Sequence, residues 1–215
     1  MTFPRGAAVT QLAQLIWQPG SRMDDGWWRA FEMKPWREVY RRHPVCRAHI
    51  DALLIARRGW PSTGEALRCV PPRSEAARAM LRLVPDLRRI ALAYGLRALG
   101  CPDYLLLGVF RRALSPWLDA WQCDRLLLTR SEWPARSSVA PEALAGEALS
   151  TAGACLDAAS ASSCDEVATM GAAVRILLPP AHAPAPATIA AIDADRIWQR
   201  FSALEKMLCM SSTLH

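Results

Sequence analysis

The sequence predicts an all-α fold: a single irregular multi-helix domain, followed by an amphipathic C-terminal helix behind a proline- and alanine-rich linker. Three observations carry this. Apolar residues recur at helical spacing, most clearly Leu87, Ile90, Tyr94 and Ala98 at i, i+3, i+7 and i+11. Start and stop signals punctuate the chain densely, with Gly100 suited to the left-handed position past a helix end and Pro102 to the first turn of the next helix. No segment sustains the alternation of a strand, and short apolar runs such as 174–178 sit at the ends of helical patterns.

Taken in order, residues 8–18 read as a first helix that ends at Pro19 and Gly20. Asp24 and Asp25 sit where acids favour a helix start, ahead of WWRAFEMK, which runs to Pro35. WREVYRR comes next, up to His43 and Pro44. Residues 45–58 form a clear helix with Ile50, Leu53, Leu54 and Arg57 on one face, basic residues at its negative end and Gly59 as the stop. Ser62 to Glu65 reads as a capping box that starts another short helix, broken by Pro71 and Pro72, and residues 73–84 form the next helix. The stretch 86–121 reads as three short helices joined by two proline-marked corners, the first two each carrying an arginine pair. Its second helix spans 104–114, and Ser115 caps the third. If the second corner is shallow, Phe110, Leu114, Trp117, Leu118 and Trp121 line up as one continuous aromatic-rich stripe; Trp117 and Trp121 are assigned to the core.

Residues 129–140 are a polar connection, 141–159 an alanine-rich helix, and Ser163 to Glu166 a second capping box that opens a helix to Leu178. The last helix, about 189–209, carries Ile197, Phe201, Leu204 and Leu208 on one face, so it needs either the domain's own groove or another protein to cover it. The domain expectation is therefore a helical body over 1–178 with a sub-boundary near 129–140, a linker at 179–188, and a C-terminal helix and short tail at 189–215.

Composition narrows the class. A chain of 215 residues with 52% hydrophobic and 21% charged side chains can build a real core. Its apolar runs fall far short of the roughly 18 residues of a membrane span, and the N-terminus shows no secretory apolar region or cleavage site, so the expected location is cytoplasmic. Seven cysteines at wide spacings, with no CxxC, suggest neither a disulfide framework nor a metal knuckle; most read as small buried apolar residues. The charge is uneven: residues 1–136 hold 22 basic and 12 acidic side chains, and residues 137–215 hold 4 and 8. A basic first part favours an acidic partner surface, although coding bias in a GC-rich genome could also produce 24 arginines against two lysines.

The candidate sites are few. His43, Cys46 and His49 are spaced by three, but zinc needs about four ligands and no second cluster supplies them. No GxSxG elbow, phosphate-binding loop or GxGxxG is present, so the chain reads as a non-enzyme without a cofactor or metal. Arg41-Arg42, Arg57-Arg58, Arg88-Arg89 and Arg111-Arg112 could neutralise phosphates, which keeps a helical DNA-binding regulator in view. Acids are interleaved among them, however, and lysine is nearly absent. Trp27 and Trp28 are adjacent on a helix and so about 100° apart, which brings one of them to an edge or interface; Trp36 and Trp60 stay open. The residues proposed to bind partners are Arg88, Arg89, Arg111, Arg112, Trp27 and Trp28.

The stretch LRRIALAYGLRALGCPDYLLLGVFRRALSPWL (87–118) resembles the SctK family, cytosolic accessory proteins of the sorting platform in bacterial type III secretion systems. WREVYRRHP (36–44) is more faintly similar to the same family. The resemblance covers about a sixth of the chain, and the C-terminal part resembles no family. It implies a scaffold without a cofactor that links the cytoplasmic domain of the inner-membrane ring protein to the pods carrying the export ATPase. It also implies docking at the cytoplasmic face of the inner membrane through protein partners alone, and it carries over no catalytic residues. Besides the DNA-binding regulator, a secretion chaperone or other small interaction protein is the remaining alternative.

Overall fold

The computed structural model describes residues 5–59, 73–129, 139–160, 165–181 and 194–209. The helices are α1 (Arg5–Trp17), α2 (Asp25–Ala30), α3 (Lys34–Arg42), α4 (Arg47–Arg57), α5 (Glu75–Leu83), α6 (Leu87–Leu99), α7 (Asp103–Leu106), α8 (Gly108–Leu114), α9 (Ala120–Leu128), α10 (Pro141–Ser160), α11 (Asp165–Arg175) and α12 (Ala194–Cys209). Short 3-10 turns precede α2, α4 and α6. No strand occurs among the described residues, and the fold is all-α. The expected capping box at 62–65, most of the polar connection and most of the linker lie outside the described residues.

Helix α6 is the axis of the body. Leu87, Ile90 and 91–96 are buried, so this helix is enclosed on nearly every side rather than along one stripe. Its most intimate neighbour is α10, whose alanine-rich sequence now has a reason. Ala148 and Ala152 are fully buried, and a Cβ placed on Gly95 would lie 1.9 Å from the carbonyl oxygen of Ala148. Small residues on both helices let the two backbones approach at contact distance. Helix α6 ends as expected, with Gly100 left-handed at φ +71° and its N–H donating to Leu96 O at 3.2 Å.

The C-terminal helix covers the body itself. Ile197, Phe201, Leu204 and Leu208 are all buried, with α12 packed on α5, α6 and α10. The Phe201 ring lies 5.1 Å from Tyr94 and 5.6 Å from Trp198. Burying four such side chains contributes roughly 6–12 kcal/mol gross, offset in large part by the chain entropy of ordering the helix. Helices α1 and α11 pack together and close the body beside α4 and α5.

Helix α11 ends at Arg175 rather than at Leu178, where the chain tightens into turns with Leu177 N–H on Val174 O and Leu178 N–H on Arg175 O. Three other helix boundaries differ from the sequence expectation, each for a visible reason. WWRAFEMK does not run through to Pro35. Helix α2 stops at Ala30, and Glu32 turns left-handed at φ 56°. Glu32 N–H donates to Arg29 O at 3.0 Å and Met33 N–H to Trp28 O at 2.8 Å, the paired bonds of a Schellman ending, with Met33 buried against the same core as Trp28. A glutamate at this position gives no stop signal in the sequence, because the usual residue is glycine. Left-handed backbone is strained for an L side chain by roughly 1–2 kcal/mol, so Glu32→Gly should raise stability by about 1 kcal/mol in urea denaturation, despite glycine's greater unfolded-state entropy.

The expected 104–114 helix is broken at Leu107, which is extended at φ −78°, ψ 132°. The break is held by Arg111, whose Nε donates to Leu105 O, and by Arg111 N–H on Leu107 O at 3.0 Å. The next helix starts not at Ser115 but at Ala120. Asp119 accepts from Gln122 N at 2.7 Å while its own N–H donates to Gln122 Oε1 at 3.0 Å, a complete capping box. Buried Gln122 also donates Nε2 to Leu208 O at 3.2 Å, fastening α9 to the end of α12.

Candidate functional site

A cleft of about 290 Å³ opens where the turn before α6, the loop before α2 and the turn after α8 meet. Val84, Leu87 and Leu177 supply its apolar surface, and Arg22, Asp86, Arg88, Arg89 and Trp117 its polar and aromatic rim. Local structure places the arginines. Leu87 is fixed in the core at the first position of α6, so the next two residues splay to either side of the helix. Arg88 pairs with Asp24 at 2.9 Å and lies 5.4 Å from the centre of the Trp117 ring. Arg89 pairs with Asp86 at 2.8 Å and approaches Cys209 Sγ at 3.7 Å.

The other arginine pairs are largely engaged inside the molecule. Arg42 pairs with Glu38 at 2.5 Å, and Arg41 lies 3.7 Å from Asp25. Arg57 donates to Phe31 O and Arg58 to Ala172 O. Burial, with Arg175 nearby, pulls Arg58 down to about 9. Arg111 pairs with Asp124, and Arg112, an exposed side chain, donates a long 3.4 Å bond to Gly108 O and forms no ion pair among the described residues. The side chains that could have faced phosphates therefore hold turns, helix ends and neighbouring carboxylates.

A second exposed surface is apolar. Leu106, Leu107 and Val109 at the α7–α8 corner are roughly half exposed. On α9, Trp121 is 38% and Leu128 82% exposed, with Arg125 4.6 Å over the Trp121 ring between them. Helix α7 packs on α9, and the Arg111–Asp124 pair bridges α8 to α9, so these side chains sit on neighbouring elements.

The tryptophans correct the sequence reading. Trp117 and Trp121, expected in the core, are 36% and 38% exposed, each beside an arginine. The stripe fails because the turn at Ser115–Trp117 takes the chain out of helical register; Leu114 and Leu118 remain buried and Phe110 is half-buried. Trp28 is enclosed in the core at 2% exposure, while Trp27 is half-buried with Nε1 donating to Leu178 O at 2.8 Å. The structure therefore puts Arg88 and Arg89 in the cleft, Arg111 and Arg112 beside the apolar surface, and Trp27 and Trp28 on α2. Cleft members Arg22 and Leu177 were not singled out from sequence, because only the fold brings them to Arg88.

A model of the type III secretion system subunit family matches residues 10–180. The chain belongs to that family. No match was found among curated proteins or among solved structures. The matched region of this secretion subunit contains both exposed surfaces and extends well beyond the stretch that carries the sequence resemblance.

A buried polar cluster of the secretion subunit acts within the fold. Buried Asp51 accepts from Gly20 N at 2.9 Å and from Tyr40 Oη at 3.1 Å, locking α3, α4 and the turn after α1 together. Burial and the facing Asp51 push the Tyr40 hydroxyl up to about 12. Burial raises the Asp51 carboxyl against the pull of Gly20, Tyr40 and Arg47. His43, Cys46 and His49 are all exposed; of the cysteines expected to be mostly buried, Cys101, Cys123 and Cys155 are, whereas Cys46 and Cys209 are exposed. No helix among the described residues is long and apolar enough to cross a membrane.

Proposed function

We propose that this secretion subunit is a non-enzymatic, cytosolic adaptor of the SctK kind, joining the cytoplasmic domain of the inner-membrane ring protein to the pods of the sorting platform. The observation that carries the reading is the presence of two exposed surfaces of different chemistry on one helical body. One is the arginine-rimmed cleft at the start of α6; the other is the apolar corner of α7, α8 and α9 with Arg112 beside it. An adaptor needs two such faces and a rigid connection between them. Here the connection is α6 itself, joined to α7 through the Gly100 turn. A DNA-binding role is the weaker reading, since seven of the eight paired arginines are engaged by acids or carbonyls of the chain itself, Arg112 with its long bond being the exception.

Charge reversal at Arg88 or Arg111 would break internal ion pairs, so Arg112 is the cleaner probe. Arg112→Glu and Leu128→Glu change exposed side chains and should shift the thermal midpoint little, within about 0.5 kcal/mol of stability. Each is expected to cut export of secreted substrates when it replaces the parent in the secreting bacterium. If both support export at the parental level, the α7–α9 face is not a docking face.

A further inference from the structure

Deepening the adaptor reading, we propose that the cleft at the start of α6 is a docking pocket for a short acidic segment of a partner protein, in which an Asp or Glu side chain is followed closely by an aliphatic one. Charge complementarity selects this occupant. Three guanidinium groups, Arg22, Arg88 and Arg89, face two carboxylates, Asp24 and Asp86, which leaves one unmatched positive charge. Arg22 supplies it: this side chain is exposed and forms no ion pair among the described residues. A single carboxylate balances the pocket. A polyanion such as nucleic acid would bring several charges against Asp24 and Asp86 and meet repulsion instead.

Shape and polarity agree with the charge. At about 290 Å³ the cleft lies at the small end of ligand pockets, which run from about 300 to 1,000 Å³, so it receives one or two side chains rather than a folded surface. Its apolar part, Val84, Leu87 and Leu177, gives an aliphatic side chain a place to bury. Trp117 stands over the rim, held under Arg88 and still 36% exposed, as a wall against which such a side chain can pack. Tryptophan and arginine are both enriched among the residues that carry most of the binding energy at protein interfaces. The pocket is also stiff before anything binds. Arg88 and Arg89 are already oriented by Asp24 and Asp86, so little side-chain entropy is lost on docking.

The experiment is selection of a random peptide library, displayed on phage, against the immobilised full-length chain, followed by titration of synthetic enriched peptides by fluorescence anisotropy. Enriched peptides are expected to carry Asp or Glu next to Leu, Ile, Val or Met. Arg22→Glu and Trp117→Ala should each weaken them about tenfold or more, a loss of about 1.4 kcal/mol. Arg22→Lys and Trp117→Phe should retain most of the binding, and Arg112→Glu, outside the cleft, should leave it unchanged. Thermal melting of each variant shows that its fold is intact. The proposal is overturned if no peptide is enriched, if the enriched peptides lack an acid, or if Arg22→Glu and Trp117→Ala bind them like the parent. It is equally overturned if phosphatidylglycerol vesicles or duplex DNA bind through Arg22 and no peptide does. Because the library contains no secretion protein, these outcomes judge the cleft alone; recovery of ring and pod proteins by the parent chain judges the adaptor reading separately.

Discussion

Gly95→Ala is expected to be the most damaging single substitution of one atom in this protein. The added Cβ would lie 1.9 Å from the carbonyl oxygen of Ala148, 2.5 Å from its carbon and 2.9 Å from its Cα. All three are backbone atoms of α10, so no side chain can rotate away. The helices α6 and α10 must separate, and α6 is enclosed on nearly every side, so the shift propagates to α12 through Tyr94 and Phe201. Overpacking of this kind costs about 3 kcal/mol or more, against a helix-propensity gain of at most about 1 kcal/mol. A fall in melting temperature of roughly 5–10 °C is expected for a chain of this length. The control is Gly146→Ala, on the exposed side of the same α10, where an added Cβ meets nothing within 4 Å. That change should stabilise by up to about 1 kcal/mol. Urea denaturation of the two variants beside the parent decides the matter, and equal midpoints for both would contradict the packing described.

The second large effect is expected at Arg175. This residue is 4% exposed and gathers three parts of the chain. Its Nε donates to Asp157 at 2.9 Å, its Nη1 to Pro179 O at 2.7 Å and Leu178 O at 3.2 Å, and its guanidinium lies 5.2 Å from the Trp27 ring. Gly153 leaves room for it, since a Cβ there would lie 2.6 Å from Nη2. Burial lowers the Arg175 pKa and Asp157 opposes that shift, as expected for a cation held in place by its partners. In Arg175→Leu, Leu178 O keeps Trp27 Nε1, but Pro179 O loses its donor. The Asp157 carboxylate is half in solvent and stays hydrated, which moderates the loss. Relief of the like charge beside Arg58 offsets a little more. The net is a destabilisation of about 2–4 kcal/mol. Arg175→Lys keeps the charge but not the planar fork, so it should lose nearly as much as Arg175→Leu. A lysine variant as stable as the parent would show that charge alone, and not the fork, holds this corner.

Much of the architecture was legible where burial tracks helical period. The α6 face, the Gly100 stop and the α12 stripe could be read from spacing alone, because each rests on a local rule that the packing then reinforces. The boundaries at Glu32 and Leu107 were not legible, because contacts distant in sequence or unusual for the residue type decide them: Met33 drawn into the core, and Arg111 reaching back to Leu105 O. The signal for α9 was present as Asp119 and Gln122, but Ser115 and Pro116 offered a more familiar start one turn earlier.

The cleft was legible only in part. Arginine pairs and tryptophans drew attention to Arg88 and Arg89, yet spacing and composition cannot separate internally paired arginines from open ones. Arg22 and Trp117 became visible as neighbours only once α2, α6 and the turn after α8 were brought together. Conversely, Trp28 looked available for binding because Trp27-Trp28 cannot share a face, and the fold resolves that conflict by burying Trp28 and leaving Trp27 half-covered.

The central claim is that this family member bridges two parts of the secretion machine. Its most direct test is recovery of the tagged, full-length chain from its own host after nuclease treatment, with mass spectrometry of the bound proteins. Ring and pod proteins recovered together, with the export ATPase accompanying the pod proteins, are the expected result. Recovery of neither, with nucleic acid dominating an untreated control, would contradict the adaptor reading and return the open arginines to the role of phosphate contacts.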